Sequence, residues 1–155
     1  MYLPQEQLLA SNYRVRDHFK AVGSTFPSND VSEAIHQCGV EPLLPQWVGE
    51  LSGGERVRVS LALAFARKPL VLIADEPLAR LSPKDQELLG QLMRRLATRG
   101  TAVVTSGHDV RALLDISDVI IWSVGGTTHH LGTPSSALAH DQFRREYLGP
   151  RYDAE

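Results

Sequence analysis

The sequence predicts an α/β fold built on a parallel β-sheet, and three observations indicate this class. Two short apolar segments, residues 70–74 and 101–105, have the length and composition of buried strands. An amphipathic helical segment, bounded by Ser82 and Gly100, separates them. A second helical segment, residues 53–67, precedes the first strand. Because parallel strands need a long crossover, the strand, helix and strand form a right-handed parallel unit in this prediction.

The helix of residues 53–67 begins with a pattern that suits an anion. Ser52 is a good helix cap, and Glu55, three residues later, has the spacing of a capping box. Gly53 and Gly54 let a ligand approach free backbone amides. The apolar residues of this helix recur on one face: Val57, Leu61, Ala64 and Phe65. We therefore expect this helix start to face an anion.

Charged side chains follow both predicted strands. The first strand, residues 70–74, is a continuous apolar run typical of a strand buried on both faces, and Asp75 and Glu76 follow it directly. His108 follows the second strand at the same edge, where parallel sheets place ligands. Taken one at a time, these residues have simpler explanations. Acidic residues also end strands where the strands reach solvent, and His108 could cap the next helix together with Asp109. Together with the anion-facing helix start, they indicate a site for phosphate and Mg²⁺.

The other elements are shorter. After residue 109 the pattern predicts a helix, a strand, a hairpin and a helical tail, at 110–115, 119–122, 125–131 and 134–148. In the first fifty residues, 15–22 and 31–38 are candidate short helices between proline-containing segments.

Composition restricts the classes of function. The 155 residues are enough for one modest domain, and a formal net charge of -2 gives no reason to expect nucleic acid as a partner. Cys38 is the only cysteine, so no disulfide forms within the chain. No segment has the ~20 consecutive apolar residues of a membrane span, and we expect a cytoplasmic protein.

Four segments resemble the motifs of ATP-binding-cassette (ABC) ATPases. LSGGER at residues 51–56 resembles the signature motif, and VLIADEP at 71–77 resembles the Walker B motif. TSGHD at 105–109 resembles the switch-histidine region, and YLPQE at 2–6 is similar to the Q-loop. The tail, including HLGTPSSALAHDQFRREYLGP, is similar to the subgroup for lipopolysaccharide export and branched-chain amino-acid uptake. The resemblance implies a P-loop NTPase (RecA-like) core with a small helical subdomain.

The resemblance also implies a division of the chain and roles for its residues. Residues 1–5 would be the Q-loop edge of the core, 6–66 the helical subdomain and 67–155 the remaining core. Asp75 and Gln5 would support Mg²⁺, Glu76 would be the general base, and His108 and Gln5 would sense the γ-phosphate of ATP. The signature residues that would bind ATP held by the opposite subunit are Ser52, Gly53, Gly54 and Glu55.

The implied partners are a second ATPase subunit, in a head-to-tail dimer, and the membrane subunits of a transporter. The implied location is the cytoplasmic face of the membrane, reached through those subunits.

The sequence departs from the family in three places. None of its three lysines follows a glycine, so the 155 residues contain no Walker A motif, Gly-x-x-x-x-Gly-Lys-Ser/Thr. Ser82 stands at the D-loop aspartate position, and Gly107 differs from the usual neighbour of the switch histidine. Because the chain begins at the Q-loop, we expect the carboxy-terminal part of a nucleotide-binding domain that neither hydrolyses ATP nor binds it tightly alone. An uncovered sheet edge and apolar face would favour self-association.

Two other functions remain open. One is a non-catalytic module that pairs with a complete ABC ATPase, which Ser82 and the missing Walker A motif suggest. The other is a soluble, non-transport member of the family. A zinc site at His108, His129 and His130 is not expected, because adjacent histidines on a strand point to opposite faces and no cysteine supports them.

Overall fold

The computed structural model describes residues 1–5, 9–27 and 29–149. They fall into two compact units, Met1–His108 and Asp109–Glu155. None of the described helices is both long and apolar enough to cross a membrane. The division into 1–5, 6–66 and 67–155 stays a prediction, and its boundary at residue 6 lies outside the described residues.

The helices of the first unit surround one central helix. Their bounds are α1 Val15–Thr25, α2 Val31–Gln37, α3 Gly53–Arg67 and α4 Pro83–Thr98, with 3₁₀ turns at Glu41–Leu43 and Val48–Glu50. Helix α3 packs against α1, α2 and α4. Its predicted apolar face is buried, but Val59 and Leu63 are buried as well, because neighbouring helices cover it on more than one side.

The sheet of the first unit is parallel, as predicted. It consists of β1 (Tyr2–Leu3), β2 (Val71–Ala74) and β3 (Ala102–Thr105), in the order β1-β2-β3. Strand β1 was not predicted, because two residues are too few to show a strand period.

One face of this sheet is covered and the other is open. Leu72 and Ala74 are buried, whereas Val71, Ile73 and Val104 are 44%, 47% and 57% exposed. The prediction that residues 70–74 are buried on both faces is therefore wrong. The reason is that α4 packs against β3, whereas the side chains of the opposite face meet solvent in the part of the chain that the structure describes.

The second unit contains the predicted hairpin and helical tail. Its elements are α5 Val110–Ile116, β4 Ile120–Val124, β5 Thr127–Gly132, α6 Pro134–Leu138, α7 Asp141–Phe143 and a π-helical turn Arg144–Leu148. Strands β4 and β5 are antiparallel, and Gly125 and Gly126 between them have positive φ angles of 56° and 77°, as a tight hairpin turn requires. This unit has its own small core: Trp122, Leu131, Ala137, Phe143 and Leu148.

Candidate functional site

The carboxyl ends of the three parallel strands bring separate segments of the first unit together. Hydrogen bonding continues one step beyond the strands. The Asp75 amide donates to the Leu3 carbonyl at 2.8 Å, and the Ser106 amide donates to the Ala74 carbonyl at 3.1 Å. These two bonds place Asp75 and Ser106 side by side at the edge of the sheet.

Ser106 connects the two acidic residues that follow β2. Its Oγ donates to Asp75 Oδ1 at 2.7 Å and accepts from the Glu76 amide at 2.9 Å. The other oxygen of Asp75, Oδ2, accepts from Tyr2 Oη at 3.3 Å. Loss of hydration and the Asp75 carboxylate raise the pKa of Tyr2 above its ordinary value of 10.0, which favours the protonated hydroxyl that donates this bond. Both oxygens of Asp75 are thus oriented by hydroxyl donors.

Glu76 is the point where the other predicted site residues meet. Its φ of 44° is uncommon for a residue other than glycine. Its Oε2 accepts from Gln5 Nε2 at 3.1 Å, and His108 Nδ1 lies 3.5 Å from the same oxygen. The side chains of Glu76 and His108 are 33% and 71% exposed, so a ligand can reach both. We call Gln5, Asp75, Glu76 and His108 the strand-edge cluster.

Two residues of the strand-edge cluster, Asp75 and Gln5, carry oxygen atoms of the kind that Mg²⁺ binds. Mg²⁺ takes oxygen ligands, typically one or two carboxylates together with phosphate and water. Asp75 would offer a carboxylate oxygen, and Gln5, whose Nε2 donates to Glu76, would offer its amide oxygen Oε1. These ligands are fewer than the six that Mg²⁺ requires, so phosphate and water would supply the rest.

The start of α3 has the predicted capping box. Ser52 Oγ accepts from the Glu55 amide at 3.3 Å, and Glu55 Oε2 accepts from both the amide and the hydroxyl of Ser52, each at 2.8 Å. Gly53 and Gly54 are the first two helical residues, and amides at such positions have no acceptor within the helix. Ser52 and Gly53 are exposed, so this helix start is open to solvent.

The start of α4 lies against the start of α3. A Cβ added to Gly54 would lie 3.1 Å from Asp85 Cγ. Ser82 holds that carboxylate, since its Oγ donates to Asp85 Oδ2 at 2.7 Å and accepts from the Asp85 amide at 3.2 Å. Ser82, at the position that the resemblance assigns to the D-loop aspartate, is therefore a helix cap that is paired with Asp85.

The predicted site residues form two groups. Within the described ranges, no hydrogen bond or ion pair joins the strand-edge cluster to the capping box of α3. Asp109, rather than His108, caps α5, since its side chain accepts from the Ala112 amide.

Sequence reasoning missed two participants, Tyr2 and Ser106. Both lie in segments that the motifs already include, and both carry hydroxyl groups beside the ends of neighbouring parallel strands. That combination is the pattern that could have identified them.

Comparison with known proteins identifies the family. Residues 1–79 match the family model described as ABC transporter. A probable ABC transporter ATP-binding protein from Azorhizobium caulinodans is 32% identical over 97% of this chain and 56% of its own length. The lipopolysaccharide export system ATP-binding protein LptB from Haemophilus influenzae is 29% identical over 97% of this chain and 66% of its own length. The chain thus spans 56% and 66% of the lengths of these two relatives.

A solved structure supports the fold. It is an inward-facing conformation of a metal-chelate type ABC transporter, with a TM-score of 0.75 and 19% sequence identity. The match covers 88% of this chain and 59% of that one, which confirms the predicted α/β fold class. The matched motifs, the family model over residues 1–79 and the aligned relatives agree, and the chain belongs to the ABC transporter family of ATP-binding proteins.

Proposed function

We propose that this chain is part of the ATP-binding subunit of an ABC transporter, where ATP binding and hydrolysis drive transmembrane transport. The observation that supports this most is the meeting of Gln5, Asp75, Glu76 and His108 at one edge of the sheet. Phosphoryl transfer depends on positioning and charge stabilisation rather than on covalent chemistry, and this cluster offers groups for both.

Each member of the strand-edge cluster has a proposed role. Asp75 and Gln5 would hold Mg²⁺, which neutralises phosphate charge when it is bound. Glu76 would orient the attacking water and accept its proton, since its carboxylate is partly exposed. His108 and Gln5, which both approach Glu76 Oε2, would contact the γ-phosphate.

The start of α3 would serve a second subunit. Ser52, Gly53, Gly54 and Glu55 would face ATP held by that subunit in a head-to-tail dimer, and the exposure of Ser52 and Gly53 is compatible with this. The proposed partners also include membrane subunits, which would place the chain at the cytoplasmic face of the membrane. Lipopolysaccharide export or branched-chain amino-acid uptake is the proposed transport class, from the similarity of the tail.

The isolated chain is expected to be inactive. Because its 155 residues lack a Walker A motif, titration calorimetry should show no low-micromolar affinity for Mg-ATP, and no phosphate should be released. Tight binding, or phosphate release that disappears in Glu76→Gln, would contradict this expectation.

A fusion tests the proposed roles directly. The part of the Azorhizobium caulinodans relative that lies outside its match would be joined to this chain, and ATP binding and hydrolysis would be measured. We expect Glu76→Gln to abolish hydrolysis but not binding, whereas Glu87→Gln, which changes an exposed acid on α4, should leave both unchanged. A folded fusion that binds ATP without hydrolysing it would instead support the non-catalytic module.

A further inference from the structure

We propose that Ser106 is a positioning residue that holds Glu76 in its left-handed backbone conformation and fixes the orientation of the Asp75 carboxylate. The inference rests on the function proposed for the strand-edge cluster. Ser106 would act through Asp75 and Glu76 rather than on a bound nucleotide.

The geometry defines the direction of both hydrogen bonds of Ser106. A carboxylate only accepts and a backbone amide only donates, so the hydroxyl proton points to Asp75 and an oxygen lone pair faces the Glu76 amide. The distances are 2.7 Å to Asp75 Oδ1 and 2.9 Å from the Glu76 amide. Because the same hydroxyl accepts from an amide and donates to a carboxylate, the two bonds polarise each other along the chain from amide to hydroxyl to carboxylate.

The sheet places this hydroxyl where Glu76 needs an acceptor. Thr105 is paired with Ala74, and the next residue, Ser106, donates its amide to the Ala74 carbonyl at 3.1 Å. The backbone turns out of the strand direction at Glu76, where φ is 44°, a conformation that is disfavoured for a residue with a Cβ. The Glu76 amide therefore takes the Ser106 hydroxyl as its acceptor in place of a sheet carbonyl.

The conformation of Glu76 decides where its carboxylate points. In the left-handed conformation its Oε2 is 3.1 Å from Gln5 Nε2 and 3.5 Å from His108 Nδ1. An extended backbone at Glu76 would redirect the side chain away from both groups. Ser106, which follows β3, thus sets the direction in which the carboxylate of Glu76, the proposed general base, points.

The test uses the full chain without nucleotide, labelled with ¹⁵N. The three-bond coupling between the amide proton and Hα of Glu76 reports φ, and the exchange rate of its amide reports the hydrogen bond. In Ser106→Ala we expect exchange to rise about tenfold and the coupling to move to its extended value. Ser106→Thr should match the wild type because it keeps the hydroxyl. Ser106→Cys, a weak hydrogen-bonding side chain of similar size, should behave like Ser106→Ala.

A control variant and one contradicting outcome make the test decisive. Ser123→Ala removes an exposed serine on β4 and should change neither readout. If Ser106→Ala and Ser106→Cys both leave the coupling and exchange of Glu76 at wild-type values, the positioning role is wrong.

The fusion separates this inference from the proposed function. There, Ser106→Ala should lower kcat roughly 10- to 100-fold with KM about unchanged, and Ser106→Thr should restore it. A folded fusion that binds ATP without hydrolysing it, and whose Glu76 signals still depend on Ser106, would refute the proposed function alone. An active fusion that is indifferent to Ser106→Ala would refute the positioning role alone.

Discussion

Cys38, the only cysteine of the chain, is a buried thiol with little reactivity expected in the folded state. Burial raises the pKa of Cys38 from 9.0 to about 12, and the charges of Arg95, Arg99 and Arg58 offset this rise only in part. Because the thiolate is the reactive species, iodoacetamide at pH 8 should modify the native thiol about a thousandfold more slowly than the thiol of the unfolded chain. Mass spectrometry of samples with and without urea measures the two rates, and similar rates would contradict the prediction.

The same burial gives the stability a defined dependence on alkaline pH. The folded state holds the Cys38 proton more strongly than the unfolded state, so this contribution is fully present below pH 9. It is lost as the pH rises from 9.0 towards 12, the interval between the two pKa values.

Individual site residues differ in how far the sequence could predict them. Asp75, Glu76 and His108 follow apolar strands, and the parallel arrangement brings strand ends to one edge, so their proximity was predictable. The hydroxyl groups of Tyr2 and Ser106 are visible in the motif segments, but their partners were not predictable, because these hydrogen bonds depend on register, such as Tyr2 opposite Ile73. The hydrophobic periodicity of the sequence does not show which residues of two strands lie opposite each other.

At the level of elements, features that depend on local sequence were predicted correctly, whereas a feature that depends on long-range packing was not. Helix α3 begins at the predicted residue because its start depends on a capping box, Ser52 and Glu55, that lies within four consecutive residues. It also ends at the predicted residue, Arg67. The burial of β2 was predicted wrongly, because the exposure of Val71 and Ile73 depends on which layers cover the sheet. An apolar run alone does not show whether both faces have a partner.

The start of α4 gives a prediction about Ser82. A second carboxylate at this position would face Asp85, whose Oδ2 now accepts from Ser82 Oγ at 2.7 Å. Aspartate is itself a good helix cap, so the substitution should keep the cap of α4. Because it brings two carboxylates together and removes a donor, we expect Ser82→Asp to lower the free energy of unfolding by about 1 kcal/mol. Urea denaturation measures this change.

A double variant and a control locate the cause. Adding Asp85→Ser to Ser82→Asp should recover most of the loss, because the repelling carboxylate is then removed. Thr133→Asp changes the cap of α6, whose third helical residue is Ser136, and should be nearly neutral. Strictly additive effects of the two α4 substitutions would show that Ser82 and Asp85 are not coupled.

For the chain as a whole, the open face of the sheet in the first unit is the feature with the largest consequence. Its apolar side chains are exposed, and β1 and β3 form the edges of the sheet among the described residues. Exposed apolar strands with unpaired edges tend to pair with another chain. A second copy of this chain offers an identical face, and a two-fold axis would bring the two faces against each other.

We therefore expect self-association that depends on this face. Size-exclusion chromatography with light scattering should show a mass that rises with concentration in the wild type and stays at the monomer value in a variant with Ile73→Lys and Val104→Lys. Both side chains are about half exposed, at 47% and 57%, so lysine can extend into solvent without disturbing the core. Ile121→Lys, at a position on β4 that is 63% exposed, is the matched control and should associate like the wild type. A monomeric wild type at high concentration, or equal association of all three proteins, would mean that the open face is not where copies meet.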